Sequence, residues 1–299
     1  MNMIEIEDNI FFVEGVNAGR YPHANSLLIR DQKNLLIDSG IGREHITALT
    51  EENRIDLLLI SHGHEDHIAG NDLFDRHTEI AVHKLDTPTV RSVERLIDLY
   101  GASNHAYREP MVRFLTEIFS LKDSAVDTEF ADGHTFDLGS IRVEAVHTPG
   151  HSAGHTCFFI PAAKIIFLGD IDLSSFGPWY GCLDSDIDTF LESIERVKSI
   201  DFETAVSSHK GVLHGKKQIN EKLDRYGERI ISREDDLLTF LAKERTTEEI
   251  INKAFIYGRF PEPAAMYRIM EKTMISKHLR RLLNRGQIRQ TEEGLFKAV

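Results

Sequence analysis

Cysteine is nearly absent: the 299 residues hold only Cys157 and Cys182. Such a pair builds neither a disulfide framework nor a metal knuckle, so the sequence predicts ordinary buried thiols in a reducing compartment. Also missing is any apolar run of the length a membrane span requires. The opening MNMIEIEDNI is acidic where a secretory signal is basic and then apolar, and a cytoplasmic protein with no membrane partner is the expectation. Positive charge is scarce too. Against 48 Asp and Glu stand 35 Lys and Arg, a formal net charge of −13, which argues against a protein that coats nucleic acid through a basic surface. There are no repeats and no low-complexity tracts. What is present, 41% hydrophobic and 28% charged residues, suits a globular chain long enough for one large domain and one small one. Histidine is the surplus: there are fifteen, several set among glycines and aspartates.

Along the chain, IEIEDNIFFVEG and NSLLIRDQKNLLIDSG read as strands, the second pair flanking the polar turn Asp31-Gln32-Lys33-Asn34. Residues 55–60 form a continuous apolar strand that stops at Ser61-His62-Gly63-His64. IAVHKLD reads as a strand, and residues 87–121 show helical apolar spacing, a helical insertion. The second half repeats the rhythm, with strands over 141–146, HTCFFIP and KIIFLGD, a helix over 186–200, then AVSSHKG as a strand ending in a histidine. Two strand-rich halves with helices outside predict an α/β protein of αββα sandwich type. A helix follows over 216–243 with no linker of Pro, Gly or Ser.

The tail differs in kind. Thr246-Thr247-Glu248-Glu249 has the form of a capping box, residues 264–284 carry an apolar helical stripe, and Gly286 precedes an alternating segment around Glu292-Glu293-Gly294. Helix, helix, helix, hairpin is the order of a winged helix. The expected division is therefore 1–230 for a catalytic domain and 231–299 for a small winged-helix-like domain. From residue 264 to 299 eight Lys or Arg face three Glu, so the tail is basic while the remainder is strongly acidic.

His-Gly-His-Glu-Asp-His at 62–67 supplies three imidazoles and a carboxylate directly after a buried strand. Metal ligation needs lone-pair donors at fixed positions, and a merely solvated loop seldom concentrates them so. In an extended loop His62 and His64 project to one side, while Asp66 and His67, at a helix start, address a second position. One loop thus seeds two adjacent metal sites.

Ser61-His62-Gly63-His64-Glu65-Asp66-His67 resembles the Thr/Ser-His-x-His-x-Asp-His signature of the metallo-beta-lactamase superfamily. Thr148-Pro149-Gly150-His151 matches the family's third motif, Gly169-Asp170 its bridging aspartate, and Ser208-His209-Lys210-Gly211 its last histidine, where Pro-Gly-His-Gly is commoner. The resemblance covers roughly residues 1–215. It implies that His62, His64 and His151 hold one divalent metal ion, that Asp66, His67 and His209 hold another, and that Asp170 bridges them. Zinc is the default, with manganese or iron also suited. Paired cations lower the pKa of a shared water, so a metal-bound hydroxide attacks, and the family assigns Asp66 as the catalytic group that orients it and passes a proton to the leaving group.

Beyond the ligands, Phe176, Trp179 and Tyr180 follow Asp170 in a loop that should open on the metal face, as an aromatic wall for substrate or a packed turn. In the insertion Tyr100, Tyr107 and Phe114 stand where the family builds a lid, against a packing layer as the plainer reading. His147 and His155 flank the third motif as candidates to orient a ligand. His83 reads as structural, and His23, His105 and His214 as loop histidines.

Several functions compete. The Gly169-Asp170 bridge resembles the glyoxalase II and lactonase type of site and implies hydrolysis of a small thioester, lactone or ester. Classical beta-lactamases lack that aspartate. The basic tail resembles the beta-lactamase-like protein 2 branch and implies a phosphodiesterase or ribonuclease, which the acidic remainder weakens. A mono-iron sulfur dioxygenase would use His62, His151 and Asp170. Finally, the tail as a DNA-binding module would make the chain a regulator, although an interaction surface, including a homodimer contact, is the favoured reading of it.

Overall fold

In the computed structural model, which describes residues 1–103 and 105–299 and all of their side chains except those of His105 and Ala106, the chain alternates strands and helices. The first half runs β1 (Asn2–Glu7), β2 (Ile10–Glu14), β3 (Ser26–Ile29), β4 (Leu35–Ile37), α1 (Arg43–Glu52), β5 (Leu57–Ile60), α2 (Glu65–Ile68) and β6 (Glu79–His83). The insertion follows as α3 (Thr87–Arg91), α4 (Val93–Leu99) and α5 (His105–Arg113), then β7 (Thr128–Phe130). The second half contains β8 (Thr135–Asp137), β9 (Arg142–His147), β10 (Thr156–Ile160), β11 (Ile165–Phe167), α6 (Ile187–Ser199), β12 (Thr204–Ser207) and β13 (Gly211–His214). The tail is α7 (Lys216–Phe240), α8 (Thr247–Lys253), α9 (Ala264–Asn284), β14 (Ile288–Gln290) and β15 (Phe296–Ala298).

Each half makes one sheet, in the order β1-β2-β3-β4-β5-β6-β7 and β13-β12-β11-β10-β9-β8 among the described residues. Side chains alternate across a strand, and the burial follows that period. Leu27, Ile29, Leu57 and Leu59 point between the sheets to meet Phe158, Phe167 and Val206, whereas Leu28, Leu58 and Ile60 point outward to a second core that includes Ile46, Leu96, Phe190 and Leu223 of the helices. This is the αββα sandwich the sequence predicts. Strands β4 to β7 pair in parallel and are covered on both faces, which is why 57–60 is apolar without alternation.

Two helix starts are set by local chemistry. Asp186 caps α6 by accepting from Thr189 N at 3.0 Å, and Thr246 with Glu249 forms both halves of the capping box of α8. Helix α7 runs unbroken across position 230, so the two expected parts share a helix rather than meet at a linker. The motif loops leave the C-terminal ends of β5, β9, β11 and β12, the edge at which open α/β sheets gather ligands. No described helix is long and apolar enough to cross a membrane.

Candidate metal centre

Strand β5 ends at Ile60, and the chain turns sharply enough for His62, His64, Asp66 and His67 all to be buried at one spot. His151, Asp170 and His209 arrive from the ends of β9, β11 and β12. Two triads result, His62 with His64 and His151, and Asp66 with His67 and His209; within each triad the donor atoms lie within 4.8 Å of one another. Asp170 stands between them: its Oδ2 is 3.3 Å from His151 Nε2, and its Oδ1 is 3.0 Å from His67 Nε2 and 3.3 Å from His209 Nε2. Donors around one tetrahedral ion at about 2.1 Å lie about 3.4 Å apart, the spacing seen here.

Each imidazole has one ring nitrogen occupied by the protein, and this decides which nitrogen faces inward. His67 Nδ1 donates to Asp38 Oδ2 at 2.7 Å, His151 Nδ1 to the Trp179 carbonyl at 2.9 Å, and His209 Nδ1 to the Gly19 carbonyl at 2.7 Å. His62 Nδ1 meets Ser61 Oγ, which itself donates to Asp38. His64 is reversed: Cys182 Sγ takes its Nε2 at 3.3 Å, leaving Nδ1 inward. The inward nitrogens of His62 and His64 then lie 3.1 and 2.8 Å from His151 Nε2. Three lone pairs converging in a buried pocket call for a cation. The same need shows at the second triad, where His67 Nε2 and Asp170 Oδ1 are buried without a hydrogen-bond partner although they face each other. The donor set therefore fits divalent metal.

Electrostatics agrees. Burial, then neighbouring imidazoles, pushes His62 and His64 well below the usual range, and burial lowers His151, so this triad offers neutral ligands. At the other triad burial opposes charge on His67 and His209, yet Asp170 and Asp66 outweigh it and carry His209 up to about 10. Burial works against ionised Asp170 too, and His67, His209 and His151 overcome it to hold that carboxyl well below its ordinary value.

The supporting shell is largely outside the sequence motifs. Asp86 clamps two loops by accepting from Gly63 N at 3.0 Å, Gly154 N at 2.6 Å and Ser152 Oγ at 2.7 Å. His155 Nε2 accepts from Asp170 N at 3.0 Å while its Nδ1 donates to Thr148 O, and burial pushes its pKa down to about 3. Of the two flanking candidates His155 thus orients a ligand; His147 instead bonds Ala153 O and stacks on His83. Gly169 permits the approach, since at φ +54° a Cβ there would stand 2.6 Å from His155 Nε2.

A cavity of about 370 Å³ opens over the two triads. Phe176 and Trp179 line it, and so do Tyr100 and Phe114 of the insertion. Two expected wall residues do not. Tyr180 is fully buried, its hydroxyl bonded to His278 at 2.7 Å and Arg233 at 2.9 Å, because its backbone turns it toward α7 and α9. Tyr107 is exposed on α5, whereas Met111 of that helix and Phe114 and Leu115 of the turn after it are buried. The side chain of His105 lies outside the described residues. Sequence reasoning missed Tyr21, Tyr257, Met266, Tyr267 and Met270, of which the last four come from the tail. Trp179 Nε1 donates to Tyr257 Oη at 2.8 Å and ties the Asp170 loop to that wall. Glu65, treated as a spacer within its motif, accepts from Tyr21 at 2.8 Å and from Tyr100, and burial pushes it up to about 7.

Part of the tail's basic surplus is engaged by the rest of the molecule, with Lys277 and Arg281 buried. Arg281 is buried against Glu234 at 2.5 Å and Asp188 at 2.7 Å, Lys277 donates to Ser185 O at 2.5 Å, and Arg268 pairs with Glu248.

Comparison with known proteins follows the same lines. The family model described as "Metallo-beta-lactamase superfamily" matches residues 20–209. An atrochrysone carboxyl ACP thioesterase of Aspergillus fumigatus is 25% identical over 77% of this chain and 67% of its own length. A beta-lactamase-like protein 2 homolog of Caenorhabditis elegans is 22% identical over 84% of this chain and 78% of its own. Among solved structures, a metallo-beta-lactamase family protein of Thermus thermophilus superposes with a TM-score of 0.74 at 17% identity, covering 99% of this chain and all of that one. On this match and on its four motif segments, the chain belongs to the metallo-beta-lactamase superfamily and is a hydrolytic enzyme.

Proposed function

We propose that this enzyme is a dinuclear metal-dependent hydrolase of thioesters, with lactones and simple esters as chemically related substrates. The observation that carries the reading is Asp170, whose two oxygens face different triads. Zinc is the proposed metal, manganese or iron the alternatives. When bound, such cations supply Lewis acidity toward a carbonyl oxygen and acidify water.

The rest is done by the chain. Asp66, whose Oδ2 is 3.5 Å from His209 Nε2, is positioned to take the proton given up by the attacking water and pass it to the departing thiolate, a task suited to the upward push that burial gives its pKa. Trp179, Phe176, Tyr257 and Met270 offer an apolar surface for an acyl group and displace water from the reacting carbonyl. Glu65 fixes the hydroxyls of Tyr21 and Tyr100 in the wall of the same cleft. The named activity of the Aspergillus relative, thioester cleavage, supports the choice. A reducing, cytoplasmic setting goes with two buried free thiols.

For the tail we keep the winged-helix reading of α8, α9 and the β14–β15 hairpin, with cleft formation as its role here. The phosphodiesterase reading is disfavoured because the tail's arginines are largely engaged in ion pairs.

The test is turnover of matched thioester, lactone and phosphodiester substrates, before and after chelation. Hydrolysis of the thioester, lost on chelation and restored by zinc or manganese, is expected. Cleavage of single-stranded RNA without thioester turnover would replace this reading, and oxygen uptake with a persulfide at one iron per chain would establish the dioxygenase instead.

A further inference from the structure

Beside the metal cleft lies a second concavity of about 560 Å³ that shares Ser174 and Lys210 with it. Its charged lining is entirely basic. Lys210 directly follows His209, and Lys222, Arg225 and Arg229 recur along α7 at intervals of three and four residues, which puts them on one face. All four are exposed, and among the described residues none is within ion-pair distance of a carboxylate; the nearby Asp224 is engaged by Lys198 at 2.5 Å. Like charges so spaced repel one another. On a chain of net charge −13, with most tail arginines internally paired, this is a distinct island of free positive charge.

Its position gives it a use. Tyr226 lines the groove and donates from Oη to the Asp170 carbonyl at 3.0 Å, so the wall that carries the cations also braces the residue between the two triads. A substrate whose acyl group fills the aromatic cleft and whose sulfur lies at the metal ligands would run its far end over Ser174 and Lys210 into the groove. Paired guanidinium groups match phosphate oxygens better than they match a single carboxylate. We infer that this groove binds the phosphate-bearing end of the thiol carrier, so that the enzyme's thioesters are phosphorylated ones. This rests on the thioester reading above. The phosphate has two sources, soluble coenzyme A and the phosphopantetheine arm of a carrier protein.

The experiment measures steady-state hydrolysis by metal-loaded enzyme of one acyl group carried on pantetheine, on phosphopantetheine, on coenzyme A and on a carrier protein. The expected result is a kcat/KM roughly tenfold or more higher for the phosphorylated carriers than for pantetheine, expressed in KM. That ratio should fall toward one in the Lys222→Ala/Arg225→Ala variant and in about 0.5 M salt, where exposed charges are screened. Preference between coenzyme A and the carrier protein then identifies the source. Equal kcat/KM for pantetheine and phosphopantetheine would overturn the groove assignment and leave thioester hydrolysis standing. No turnover of any of the four would remove both readings.

Discussion

Single residues in this chain do two kinds of work with histidine, and the difference is visible in what each ring faces. The rings of the two triads have one nitrogen fixed by a carbonyl, a carboxylate, a hydroxyl or, for His64, the thiol of Cys182. His83 is of the other kind. It is 2% exposed, stacks on His147 with ring centroids 4.1 Å apart, and burial first, then His147 and Lys84, push its pKa down to about 4. Its folded value lies below the unfolded one, so the neutral ring's contribution is fully present above about pH 6.5 and is lost as pH falls toward 4. The gap between 6.5 and about 4 corresponds to a stability change on the order of 3 kcal/mol. In metal-stripped protein, unfolding free energy should therefore fall more steeply between pH 6.5 and 4 for wild type than for His83→Phe, as read by urea titration. Parallel pH profiles would show that His83 contributes nothing to acid sensitivity.

At the scale of elements, α9 and α7 are joined to the catalytic loops by buried charge. Glu234 of α7 accepts from Arg281 of α9, and His278 of α9 meets both Glu234 and Tyr180 beside the Asp170 loop. Removing Glu234 leaves Arg281 with Asp188 as its remaining carboxylate and deprives His278 Nδ1 of its partner, which costs about 1–3 kcal/mol. Glu234→Ala should lose about that much stability by chemical denaturation, and a loss under about 1 kcal/mol would mean that α7 and α9 are held by apolar packing alone.

Legibility in the sequence follows the range of the interactions. The capping box of α8, the 264–284 helix and the motif 62–67 depend on residues within a few positions of one another, and each stands where its local chemistry puts it. The short edge strands β7 and β8 have three residues each, too few for alternation to register. Tyr21 meets Glu65 across 44 positions and Trp179 meets Tyr257 across 78, contacts that no local pattern encodes. Tyr180 misled for the same reason, since an aromatic in a loop after Asp170 reads as a wall until α7 and α9 are seen to claim it.

Taken as a whole, the molecule is a sandwich that delivers four motif loops to one edge and a tail that closes the cleft above them. The acidic balance of the chain and the carboxylates at its centre make that edge a place where cations are stabilised. Everything proposed about chemistry depends on how many cations it holds. Metal content per chain, measured on protein purified without added metal for wild type and Asp170→Asn, addresses this directly. The account predicts close to two divalent ions in wild type, at most one in the variant, and turnover reduced more than about 100-fold with it. One ion per chain in wild type, or an Asp170→Asn protein that keeps two ions and full activity, would contradict it.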